Sequence, residues 1–146
     1  MKTESISKLF SLVAVIGVGG FAPTTAKADD TPLGKEMDAI SASLKGQRKL
    51  KREDDRWTAS AALIREGQAA CIRSMALVPK EIEELEDGVE KTKAISDNKR
   101  LMGLVLAALC ELEVAHLEED EDKIDEITDK LKDLKKEGHE KYYKDE

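Results

Sequence analysis

Between residues 31 and 142 the apolar positions recur three or four apart, in four separate stretches. The first holds Leu33, Met37, Ile40 and Leu44. It opens at Thr31-Pro32, a capping hydroxyl followed by a proline at the first helical position. The charged run 49–55 reads as the first connection. The second stretch holds Trp57, Ala61, Ile64, Cys71, Met75 and Val78, is interrupted by Gln68, and stops at Pro79. Residues 80–97 crowd Glu81, Glu83, Glu84, Glu86 and Asp87 ahead of Gly88. They predict a long, partly helical connection in which Gly88 closes a short helix. The third stretch is Ile95, Met102, Val105, Leu109 and Leu112, widened by Leu101, Leu104 and Leu106. An acidic turn at 118–122 lacks the spaced acid-and-glycine pattern of a calcium loop. Beyond it lie Ile124, Ile127, Leu131, Leu134, Gly138 and Tyr142. No stretch alternates strictly, as a half-buried strand would. The pattern predicts an all-α fold, an antiparallel bundle of four amphipathic helices.

The first residues follow a different rule. Lys2 and Lys8 precede an apolar run at 9–21, and Ala26-Lys27-Ala28 is a small-residue cleavage pattern. This predicts a secretory signal peptide over 1–28 and a mature bundle domain over 29–146. The run is too short for a membrane span, which needs about 20 apolar residues. No cysteine follows the cleavage site to carry a lipid. Cleavage would leave 118 of the 146 residues. It would also remove Lys2, Lys8 and Lys27 against Glu4 alone, so the net charge of −7 becomes −9. That balance argues against nucleic acid or an anionic membrane surface as a partner. Both phenylalanines leave with the leader, and Trp57, Tyr142 and Tyr143 are the aromatics that stay. A core then has to be built from Leu, Ile, Val, Met and Ala, which favours helix over sheet.

Signatures of catalysis are missing. The chain has no G-x-S-x-G, P-loop or glycine-rich dinucleotide turn, and the expectation is a protein that is not an enzyme. A di-iron bundle needs Glu-x-x-His on two helices. Here Glu113-x-x-His116 occurs once, and Lys136 stands three residues before the other histidine, His139. The two cysteines, Cys71 and Cys110, form no C-x-x-C-H haem attachment and no C-x-x-C redox pair. In an oxidising compartment an even count suggests a disulfide; two buried free thiols are the other reading. Met37 and His139 also carry two readings. A methionine on an apolar face packs in a core, and a histidine in a last turn complements the helix dipole; alternatively the two form a metal-ligand pair.

Two segments resemble the cytochrome b562 family. Leu33-Gly-Lys-Glu-Met37, with Leu44-Lys45 seven residues on, is similar to that family's opening helix, where the methionine is an axial haem ligand. Leu131-Lys132, six residues, then His139-Glu140-Lys141-Tyr142 is similar to its closing helix, where the histidine is the other ligand. The resemblance implies an up-down-up-down bundle and one non-covalent haem b, with Met37 and His139 on the iron. Lys135 stands where the family has an arginine and could meet a haem propionate as a point charge. Gly138 stands where the family has a tyrosine, and Leu101, Met102 and Val105 would replace the phenylalanines that pack on the haem.

Met/His ligation fills both axial positions and raises the potential, which suits outer-sphere electron transfer. The resemblance therefore implies a periplasmic b-type cytochrome carrying single electrons to redox protein partners, and the acidic mature charge favours partners with a basic surface. The alternative class is a haem-free periplasmic helical bundle with a structural, stress-related or partner-binding role. The sequence does not specify the oligomeric state.

Overall fold

A computed structural model describes residues 30–142. The expected signal peptide over 1–28 and Tyr143 lie outside the described residues. Every regular element among the described residues is helical. Helix α1 spans Pro32–Lys49 and runs into a 3-10 turn at Leu50–Arg52. Helix α2 spans Arg56–Ser74, the four-residue α3 Lys80–Glu83, α4 Val89–Leu117 and α5 Glu121–Tyr142. None of these helices is long and apolar enough to cross a membrane.

The helix ends follow from local chemistry. Thr31 caps α1 as expected, its Oγ1 accepting from Gly34 N at 3.0 Å, with Pro32 at the first position. The α4–α5 turn is a Schellman arrangement. Asp120 N donates to Ala115 O and Glu119 N to His116 O, with Glu119 at a φ of 58°. Asp120 then starts α5, its Oδ1 accepting from Lys123 N at 2.9 Å, while Glu121 and Asp122 favour the positive helix end. The acidic turn is thus a helix stop and a helix start in three residues.

The segment 80–97 differs from expectation. Most of it is regular helix, because α4 begins at Val89 rather than near Ile95. Gly88 does not close a helix but precedes α4, with φ 157° and ψ −167°. That region of backbone space belongs almost wholly to glycine. The chain turns sharply there, and Lys91 Nζ ties the turn down on Glu83 O and Asp87 at 3.0 Å each. Ile82 of α3 is buried to 1% exposure, an anchor the apolar stripes did not include.

Helix α1 packs on α2, α2 on α4, and α4 on α5. Ion pairs give the directions. Arg73 near the end of α2 forks onto Glu36 near the start of α1 at 2.8–2.9 Å. Arg65 and Gln68 of α2 meet Glu113 of α4 at 2.5 and 2.8 Å. Arg100 near the start of α4 meets Glu137 near the end of α5 at 3.0 Å. The first and last of these pairs join the end of one helix to the start of another, for α1 with α2 and for α4 with α5. The core is aliphatic and small, centred on Ile64, Ala108, Leu109, Leu112, Ile127 and Leu131. The α1–α2 contact is tight at Gly67, where an added Cβ would lie 2.3 Å from Ser43 Oγ and 3.2 Å from its Cβ. Leu104, expected on the third stripe, instead faces solvent.

Three substitutions test this account in thermal or urea unfolding. Gly88→Ala should destabilise the fold by about 1–3 kcal/mol, through backbone strain alone, since nothing lies within 4 Å of the added methyl. Asp120→Ala should cost about 1 kcal/mol by uncapping α5. Gly67→Ala should cost about 1–3 kcal/mol by forcing α1 off α2. An unchanged midpoint for Gly88→Ala would contradict the role given to that turn.

Candidate functional site

The candidate site comprises the seam between α1 and α5 and a cavity at one end of it. Helix α5 is not among the helices packed closely on α1. At the end formed by the last turn of α1 and the first turns of α5 there is a cavity of about 590 Å³. Its walls are Gln47 and Arg48 of α1, Trp57 and Ser60 of α2, His116 of α4 and Thr128 of α5.

The predicted ligands are best placed from that cavity. Eleven residues make about three helical turns, a return to within about 20° after a rise of about 16 Å. Met37 precedes Arg48 by eleven residues, and His139 follows Thr128 by eleven. Each lies on the face of its helix that borders the cavity; along the helix axes Met37 lies about 15 Å from the nearest lining residue of α1, Gln47, and His139 about 10 Å from the nearest of α5, Lys132. Lys135 belongs to the same face of α5, seven residues after Thr128. Met37 is half-buried and packs against the core. His139 and Lys135 are exposed.

The last turns of α5 are held by a polar clasp that the sequence reading missed. Asp97 of α4 accepts from Tyr142 Oη at 2.7 Å, from Arg100 at 2.7 Å and from Lys141 at 3.0 Å. Glu137 joins the clasp through Arg100 and Lys141. The hydrogen bond from Tyr142, then those from Arg100 and Lys141, hold the Asp97 carboxyl well below the usual carboxylate range. Burial, helped by the adjacent Asp97 charge, pushes the Tyr142 hydroxyl up to about 12. This network flanks His139 on both sides in sequence. It restrains a helix end weakened by Gly138, a poor helix residue.

The other candidate groups are committed to packing. Glu113 is taken by Arg65 and Gln68, and His116 is 5% exposed with its Nε2 hydrogen-bonded to Gln47 Oε1. Burial pulls the His116 pKa below its ordinary value and keeps the ring neutral. Cys71 and Cys110 are both free thiols. Cys71 is buried, its thiol pushed up to about 11 by burial, and donates to Met102 O at 3.4 Å. Cys110 is exposed; one residue past Leu109 it is rotated by about 100° from that core position. Neither sequence reading of the cysteines described this unequal pair.

Comparison with protein families, with curated proteins and with solved structures finds no match for the chain.

The two shifted acids set the pH response. The Asp97 contribution is complete above the ordinary aspartate range near 3.9 and is lost as pH falls below it. The buried neutral His116 adds an earlier loss. Below its ordinary pKa near 6.5 the unfolded chain takes up a proton that the folded chain resists. Unfolding midpoints should therefore decline from about pH 6.5 downward and again below about pH 4. Asp97→Asn should lower stability at pH 7 and flatten the second decline, and His116→Gln should flatten the first. A midpoint that is level from pH 7 to pH 5 would contradict the buried neutral ring.

Proposed function

We propose that the chain is a b-type cytochrome, a single-electron carrier rather than an enzyme. It would bind one non-covalent haem in the α1–α5 seam, with Met37 and His139 as axial ligands. The observation that carries the reading is the register of the two helices. The faces of α1 and α5 that border one cavity carry, further along and away from it, a thioether at Met37 and an imidazole at His139, which supports a shared seam. The donor set fits the group: one soft sulfur, one imidazole, aliphatic neighbours at Leu44 and Leu134, and a cation at Lys135 for a propionate. In the finer arrangement proposed here the four long helices form an up-down-up-down bundle around that seam.

Haem held by Met37 and His139 would supply reversible one-electron chemistry. The remaining work belongs to the chain. Met37, half-buried in the apolar stripe, would offer its thioether sulfur. His139 is held on α5 by the Asp97–Tyr142–Lys141 clasp on either side of its turn. Leu101, Met102 and Val105 keep the interior aliphatic and exclude water. With the signal peptide removed, the export proposed here delivers an acidic domain to the periplasm. Its partner would be a redox protein with a basic patch, met at a rate that falls as salt screens the attraction.

Titration of the purified chain with ferric haem, followed by optical spectra before and after reduction, tests the reading. The expected result is one equivalent bound, with a Soret band and sharp reduced α and β bands. His139→Ala should lose most affinity, and Met37→Ala should leave a five-coordinate, largely high-spin centre. A chain that stays colourless with added haem belongs to the other class, a haem-free bundle with a structural, stress-related or partner-binding role.

A further inference from the structure

The cavity at the other end of the seam has a chemistry of its own. Its most buried titratable member is His116, at 5% exposure. Gln47 Oε1 can only accept, so His116 Nε2 carries the ring proton and donates it. Nδ1 is then a lone-pair acceptor, and it is buried without any hydrogen-bond partner. An orphaned buried acceptor is costly, by about 1–3 kcal/mol, and uncommon in a native fold.

The aromatic wall is Trp57, the chain's single tryptophan. The Arg56 guanidinium lies 4.0 Å from its ring centroid, and the His116 ring stands at 6.2 Å, tilted by 50°. The charges around the opening run against those of the whole molecule. Arg56 pairs with Glu121 and Lys132 with Asp129. Arg48 and Lys51 have no ion-pair partner among the described residues, and they face Asp125 alone on the acidic side. A chain with net charge −7 thus carries a local cationic surplus at the mouth of its cavity. The volume, about 590 Å³, lies within the usual range for small organic ligands, roughly 300–1,000 Å³.

We propose that this cavity binds a small planar organic anion that also carries an O–H or N–H donor. The donor meets His116 Nδ1, which is closed to solvent in the unliganded chain and is reached by a small opening of the His116–Gln47 contact; the ring lies along Trp57, and the anionic group meets Arg48 and Lys51 at the mouth. Each feature of the ligand answers one feature of the cavity: an orphaned acceptor just behind the wall, an aromatic face and two unpaired cations. Along the helices the site ends about 10 Å from His139 and about 15 Å from Met37, and neither residue lines it, so it stands or falls independently of haem binding.

Fluorescence of Trp57 reads the site directly. Haem-free chain is titrated at low ionic strength with 4-hydroxybenzoate and 4-aminobenzoate, and in parallel with benzoate, which lacks the donor, and phenol, which lacks the charge. The expected result is a saturable change with either donor-bearing anion. Benzoate should bind about 5-fold more weakly, the worth of one hydrogen bond of about 1 kcal/mol. Phenol should weaken similarly, and the exposed pair Arg48→Ala/Lys51→Ala should weaken the donor-bearing anions about 10-fold while leaving the unfolding midpoint unchanged. No saturable change with either donor-bearing anion would overturn the proposal, as would benzoate binding equally well or affinity indifferent to Arg48→Ala/Lys51→Ala.

Discussion

The structure depends on α4 lying between α2 and α5. It alone packs closely on both, and its Leu109 and Leu112 are fully buried. The aliphatic core offers no large aromatic to span a gap, so close approach has to come from small residues. Ala61, Ala70, Ala108 and Ala115 supply it, all at or below 1% exposure. The ion pairs that line the same interfaces are mostly exposed, where such pairs contribute little. They record helix direction and register more than they add stability. Burial along α4 holds the helices together; the charges choose how they are arranged.

This constraint leaves α1 and α5 as the two helices with a free flank toward each other. One end of the space between them is polar and cationic, around His116, Trp57 and Arg48. The other end carries Met37 and the face of α5 with Lys135 and His139. The clasp at Asp97 fixes α5 against α4 at that second end. A seam whose walls are each anchored from behind can admit a flat group without unfolding either wall.

Most of the fold was legible in the sequence because burial writes a period into it. The first, second and fourth stripes predicted Leu33, Ile40, Ile64, Cys71, Ile127 and Leu131 as core, and all are buried. Thr31-Pro32 marked a real boundary, whereas α2 ends at Ser74, five residues ahead of Pro79, which instead precedes α3. The segment 80–97 was harder, since its charged residues mask a helix whose start is set by a backbone angle at Gly88 rather than by a side-chain cap. The third stripe was read too wide: with Leu109 and Leu112 inward, Leu104 turns to solvent. Of the site, the candidates Met37, His139 and Lys135 came from short motifs. The cavity was not legible. His116 drew notice only through its spacing from Glu113, whereas its partners Gln47 and Trp57 come from other helices. A polar Gln47 one turn past Leu44 and a polar Gln68 within the second stripe were the available signals that polar contacts interrupt the core.

Hydrogen–deuterium exchange of the chain with and without one equivalent of ferric haem tests the central claim most directly. The account predicts new protection in the first half of α1, around Met37, and in the last half of α5, around His139. Exchange at the buried α2–α4 contact should stay unchanged. Protection centred instead on Gln47, Trp57 and His116, or no change anywhere along α1 and α5, would contradict it.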